Sequence, residues 1–137
     1  MRHPILALIE QRSSVNLFDC SHALAEGEIE ELVQLATRAP TAFNLQNWRF
    51  IAVQTPEAKA RLQSLAYNQV KVSEAAVTFV ICGLLPDAPS LSKTLRPFVD
   101  SGYMSDAIAS NWQEGARTLY TDPQTARDEA VRSATFG

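Results

Sequence analysis

Three short stretches hold residue types suited to ligand chemistry. Arg12-Ser13-Ser14-Val15-Asn16 sets a guanidinium and two hydroxyls at what reads as a helix end. Arg12 offers a bidentate fork to a phosphate, and the serines offer short donors. The same run reads equally as an ordinary helix C-terminus, where a cation beside the dipole and serines in the next turn are commonplace. The second stretch is Ala39-Pro40-Thr41-Ala42-Phe43-Asn44-Leu45-Gln46-Asn47-Trp48-Arg49-Phe50. A helix stop, a small-residue loop and a strand bring backbone N–H groups and amide side chains to a sheet edge. Asn44 and Gln46 can each donate and accept, which suits a heteroaromatic ring carrying both kinds of edge. A connecting loop whose amides bond its own backbone is the ordinary alternative. The third stretch is Asn68-Gln69-Val70-Lys71, where Lys71 by default is a solvated cation. Taken singly, the local patterns favour the ordinary readings.

Other residues offer less. His3 and His22 have no cysteine or carboxylate in metal spacing, and Cys20 and Cys82 make neither a disulfide framework nor a metal site. Cys82 falls in an apolar run and reads as core. No G-x-G-x-x-G or G-K-[ST] fingerprint occurs, and Glu114 and Asp128 lack the spacing of a hydrolytic carboxylate pair. No residue is singled out as a catalytic acid or base. A net charge of −3 gives no basic surplus for a nucleic-acid footprint. No apolar run reaches the ~18 residues of a membrane span. The opening Met1–Glu10 has no cleavage site and does not read as a secretory signal. Cytosol is the natural compartment.

These stretches must be held by a core, and 137 residues with 46% apolar composition suffice for one domain. Pro4–Glu10 reads as a short helix, followed by an extended Val15–Asp19. Glu26–Arg38 is the clearest helix, with Ile29, Leu32, Val33 and Ala36 on one face and glutamates in its first turns. After the loop Thr41–Asn47 come a strand, Trp48–Gln54, and a helix from Pro56 to Ala66. Ala76–Leu84 lacks polar alternation and predicts a strand buried on both faces, with loop from Gly83 to Pro89. Leu91–Tyr120 is helical, broken by Pro97 and Gly102. Asp122-Pro123 caps a last helix through Ala134. Trp48 and Phe50 read as packing; Trp112 and Tyr120 form a helix stripe or an interface. The class is α+β, or mixed α/β, and two strands are few for a sheet standing alone.

In this order and spacing the three stretches resemble the FMN-dependent nitroreductase family. Its members open with a helix ending in a basic–polar–Ser run and an aromatic–Asp pair, here Arg12 to Phe18-Asp19. They continue with a helix ending in Ala-Pro, a Ser/Thr loop, Asn-x-Gln-Pro-Trp and an aromatic strand, here Ala39 to Phe50. An Asn/Gln-containing loop with a nearby cation and a buried strand follow, here Asn68, Gln69, Lys71 and Ala75–Cys82. The likeness covers residues 4–84 well and the helical remainder loosely.

The resemblance implies a central mixed or antiparallel sheet flanked by helices, and FMN at a homodimer interface. By match, Arg12, Ser13 and Ser14 hold the phosphate and ribityl chain, with Asn16 where many members have a second basic residue. Pro40, Thr41, Ala42 and Asn44 approach the ring system, from the partner subunit in many members. Asn68 and Lys71 meet the pyrimidine side, where a cation favours the reduced flavin. The implied activity is hydride transfer from NAD(P)H through flavin to a nitroaromatic, quinone or similar acceptor. The alternative is a flavin-binding or degenerate dimeric relative without reductase turnover. The departures are Asn16, Asn47 in place of the usual Pro, and Ala42 where Ser is common. Members also continue past the position of Gly137. The expectation is therefore one nitroreductase-like domain over residues 1–137, shortened at its C-terminus, with an incomplete sheet and weak or absent bound FMN.

Overall fold

Two strands, β1 (Trp48–Val53) and β2 (Thr78–Gly83), pair in the computed structural model, which describes residues 3–136. Just beyond them the Leu84 N–H donates to the Asn47 carbonyl at 2.7 Å, setting the end of β2 against the start of β1 in antiparallel sense. They form the one sheet found among the described residues. All six residues of β2 are half-buried, as the absence of polar alternation requires, although none is fully enclosed. The strand takes in Gly83, which the sequence reading assigned to the following loop. Met1, Arg2 and Gly137 lie outside the described residues, so the reading of Met1–Glu10 as no secretory signal falls partly there.

The fold separates into two compact units, Met1–Leu24 with Val53–Thr78, and Ala25–Ala52 with Phe79–Gly137. In the first unit, α1 (Pro4–Gln11) starts with proline at its first position and a cap from His3, whose Nδ1 accepts the Ile5 N–H at 3.3 Å. None of its residues is buried: Ile5, Leu6, Leu8 and Ile9 are all exposed. Thr55 caps α3 (Pro56–Leu65), and α3 packs on the single-turn α4 (Lys71–Glu74). Between them Tyr67 and Asn68 both take left-handed φ of 56°, and the Asn68 N–H donates to the Gln63 carbonyl at 3.0 Å. Lys59 Nζ donates to the Ala75 carbonyl at 2.9 Å and ties α3 to the chain leaving α4.

In the second unit, α2 (Glu26–Ala36) places Glu26 and Glu28 in its first turn, where the dipole favours anions. The Glu28 carboxylate also accepts the Ala25 N–H at 2.8 Å. Its apolar face meets the sheet around a small cleft of about 80 Å³ lined by Leu32, Val33, Ala36, Phe50, Phe79 and Ile81. The helix stops at Ala36, ahead of Ala39-Pro40, because Thr37 to Ala39 already turn the chain.

The densest core lies under α5 (Leu91–Asp100) and α6 (Asp106–Leu119): Leu45, Leu91, Leu95, Ala109 and Ala116, with Phe43, Val99, Met104 and Tyr120 around them. Pro97 does not break α5, contrary to the sequence reading. It faces solvent, as does Lys93, whose carbonyl loses its intrahelical donor, so water can satisfy that oxygen while Leu91 and Leu95 hold the inner face. The break comes at Ser101–Ser105, where Gly102 adopts φ 77°. Asp122 then caps α7 (Pro123–Phe136), accepting the Thr125 N–H at 2.8 Å. Gly83 admits that helix. A methyl group there would overlap the Ala130 carbonyl, so the end of β2 and the backbone of α7 approach as only glycine allows.

Candidate functional site

In the first unit, Arg12 caps α1, and its N–H donates to the Leu8 carbonyl at 3.1 Å. The guanidinium, the Ser13 and Ser14 hydroxyls and the Asn16 amide are exposed and make no side-chain hydrogen bond or ion pair among the described residues. A short hook follows. Asp19 Oδ1 accepts from the Ser21 hydroxyl at 2.6 Å and its N–H at 2.9 Å, and these bonds hold the Asp19 carboxyl below its usual range. Asn68 and Lys71 flank the turn into α4, also exposed, with side chains free of internal partners among the described residues. No hydrogen bond among the described residues joins the Arg12–Asn16 stretch to Asn68 or Lys71. The histidines are both exposed, and no group of metal-ligating side chains occurs among the described residues.

Pro40, Thr41, Ala42 and Asn44 belong to the second unit, in a tight turn over Ala42–Asn44. The turn is strained: Phe43, Asn44 and Gln46 have φ of 52°, 55° and 48°. Left-handed backbone costs a non-glycine residue on the order of 1 kcal/mol or more, least for Asn, and persists only where surroundings impose it. Here they do. Thr41 Oγ1 accepts the Gln46 N–H at 2.9 Å, and the Thr41 carbonyl accepts the Asn44 N–H at 3.0 Å. Phe43 lies edge-on to both Trp112 and Tyr120, each at a centroid distance of 6.2 Å, and Leu45 beside it is buried in the core. Trp112 of α6 and Tyr120, just past the end of that helix, thus share one contact in this unit, the loop aromatic.

The turn presents a defined pair of amides. Asn44 Oδ1 accepts from Gln46 Nε2 at 3.0 Å, which leaves Asn44 Nδ2 as a donor and Gln46 Oε1 as an acceptor. That is the mixed edge a heteroaromatic ring would need.

Asn47, which follows, is not a passive substitute. It is 6% exposed, and its Nδ2 donates to the Leu84 carbonyl at 2.7 Å while its Oδ1 accepts the Ser133 hydroxyl at 2.8 Å. Ser133 Oγ also lies 3.2 Å from Glu129 Oε1, and Glu129, 3% exposed, is paired through Oε2 with Arg132 at 2.6 Å. The Tyr120 hydroxyl is buried with no hydrogen-bond partner of good geometry among the described residues. Burial first, then the Glu129 charge, pushes that phenol up to about 12.

The sequence reading missed this network. One signal was available: Asn47 stands where the resembled family usually has Pro, and an amide placed there must find partners if it is buried.

The pattern of the nitroreductase family matches residues 9–134. The chain belongs to that family. This nitroreductase-family chain is 32% identical over 131 residues to the protein named NAD(P)H nitroreductase YodC of Bacillus subtilis, covering 96% of the chain and 65% of YodC. It is also 32% identical over 128 residues to protein DrgA of Synechocystis, covering 91% of the chain and 58% of DrgA. It therefore spans less than two thirds of the length of either relative. A nitroreductase of Exiguobacterium sibiricum solved in complex with FMN superposes with a TM-score of 0.84, over 98% of this chain and 66% of that one, at 20% identity. That likeness shows the nitroreductase fold, with two antiparallel strands among helices in the part described here. No helix among the described residues is long and apolar enough to cross a membrane.

Proposed function

We propose that this nitroreductase-family chain serves an FMN-dependent oxidoreductase that carries hydride from NAD(P)H to a nitroaromatic, quinone or similar acceptor. The observation that carries the reading is the state of the donors. Arg12, Ser13 and Ser14 are exposed without internal side-chain partners among the described residues, and Asn44 with Gln46 keeps one donor and one acceptor unspent. The chemistry of the first set fits a phosphate, and that of the amide pair fits a ring with mixed hydrogen-bonding edges.

When bound, FMN supplies hydride acceptance and hydride delivery. The chain's own residues do the rest. Arg12 holds phosphate oxygens through its fork, and the Ser13 and Ser14 hydroxyls donate beside it, with Asn16 a further neutral donor. Lys71 sets a positive charge toward the pyrimidine side, which favours the electron-rich form, and Asn68 adds an amide there. Pro40, Thr41, Ala42 and Asn44 present backbone and amide groups to the ring, from a second copy in a homodimer. The exposed apolar side chains of α1 give such an association surface to bury. The protein works in the cytosol, where NAD(P)H is supplied.

The test is an FMN titration followed by NADPH oxidation with a nitroaromatic acceptor. Weak but saturable FMN binding is expected, with acceptor-dependent NADPH oxidation once FMN is supplied in excess. Flavin binding without NAD(P)H oxidation would favour a flavin-binding relative instead, and a melting temperature indifferent to FMN would favour a degenerate domain.

A further inference from the structure

We infer that Asn47, Ser133 and Glu129 form a latch that positions the strained Thr41–Gln46 turn, and through it the Asn44–Gln46 amide pair. The inference concerns the ring-facing segment of the proposed flavin reading and in that respect rests on it. Three non-glycine residues of the turn sit at left-handed φ, the last of them Gln46, immediately before Asn47. Such a conformation relaxes unless the chain is held on both sides of it. On the upstream side the Phe43 ring is gripped by Trp112 of α6 and by Tyr120 just past the end of that helix. On the downstream side the hold is polar. The Asn47 amide is spanned between the Leu84 carbonyl and the Ser133 hydroxyl, which fixes both its position and the orientation of its two ends.

Ser133 has one hydroxyl proton, and the nearer acceptor is Asn47 Oδ1 at 2.8 Å, against 3.2 Å for Glu129 Oε1. Glu129 in turn is tethered by Arg132, so Ser133 is confined between two acceptors that cannot swing away. All three latch residues are at least nine-tenths buried, and water cannot replace a lost partner without opening the packing of α7. These are positioning residues: none faces solvent, and each would act on a ligand only through the turn.

The test measures amide hydrogen exchange in the unliganded full chain, reading Gln46, whose N–H bonds Thr41 Oγ1, against Leu95 in the core of α5. FMN affinity is measured by fluorescence titration on the same variants. In Ser133→Ala, exchange at Gln46 is expected to quicken at least tenfold more than at Leu95, whose own rate carries the global loss of stability, and FMN affinity to fall several-fold. Ser133→Thr, which keeps the hydroxyl, restores Gln46 protection. In the double variant with Asn47→Ala the loss is no greater than in Asn47→Ala alone, because the Ser133 hydroxyl acts on the turn through that amide. If Ser133→Ala folds poorly, Ser133→Cys keeps the volume with a weak donor and is expected to quicken Gln46 selectively. Quickened Gln46 exchange in a chain that never binds FMN would uphold the latch and sink the flavin reading. Gln46 exchange unchanged, or raised only in step with Leu95, would overturn the latch.

Discussion

The Ser133 hydroxyl donates to Asn47 Oδ1 across 2.8 Å, joining the last helix to the residue that opens the first strand, 86 positions earlier. Removing the hydroxyl leaves a buried amide oxygen without its donor. Ser133→Ala should therefore destabilise the fold by about 1–3 kcal/mol, the cost of an unsatisfied buried polar group. Equilibrium denaturation in urea checks this, with a lower midpoint and an unchanged slope expected.

Gly83 and Ala130 make a second crossing of the same helix over the sheet. Gly83→Ala places a methyl group on the Ala130 carbonyl, and neither backbone can retreat as a side chain could. The expected loss is about 3 kcal/mol, at the upper end of ordinary overpacking. Thermal unfolding should show it, and an unchanged melting temperature would mean that α7 does not pass this close.

Tyr120 supplies a pH dependence. Its phenol is raised to about 12 from an ordinary 10.0, chiefly by burial and then by the Glu129 charge. In the unfolded chain the phenol ionises near its ordinary value, while in the fold it stays neutral. Its contribution is complete below pH 10 and is lost as pH rises through about 12. Stability should fall across that alkaline window, and Tyr120→Phe should flatten the fall. Because the hydroxyl has no hydrogen-bond partner of good geometry among the described residues, the phenylalanine variant should be no less stable at pH 7. Absorbance at the phenolate band, followed with pH, identifies the late-titrating tyrosine by its absence in the variant.

Arg12 tests the cofactor assignment from the other end. Arg12→Ala should weaken FMN at least tenfold while leaving the melting temperature of the unliganded chain nearly unchanged, since the guanidinium is exposed and makes no side-chain bond among the described residues. Riboflavin, which lacks the phosphate, should bind the original and the variant alike. Equal FMN affinity in both would remove Arg12 from the phosphate site.

Much of the fold was legible because its determinants are local. Pro4, Thr55-Pro56 and Asp122-Pro123 mark helix starts by capping chemistry, and each helix begins there. β2 was legible from an apolar run without alternation, and its six half-buried residues follow. Pro97 misled because its cost depends on which way it faces, and facing solvent it leaves α5 whole. The candidate residues were found by order and spacing, but what shapes their turn was hidden. The buried stripe of α7 runs Ala126, Glu129, Ala130, Ser133. Two of those four are polar, so apolar periodicity cannot reveal it. The partner that makes their burial tolerable is an asparagine 86 positions away, a pairing no local pattern encodes.

The account stands or falls on whether the turn after α1 and the turn before β1 respond to the same flavin. Backbone amide shifts during titration of the full chain with FMN measure this directly, even when binding is weak. The predicted result is saturable shifts at both Arg12–Asn16 and Thr41–Gln46 with one common affinity. Shifts confined to other segments, or none at millimolar FMN, would contradict it.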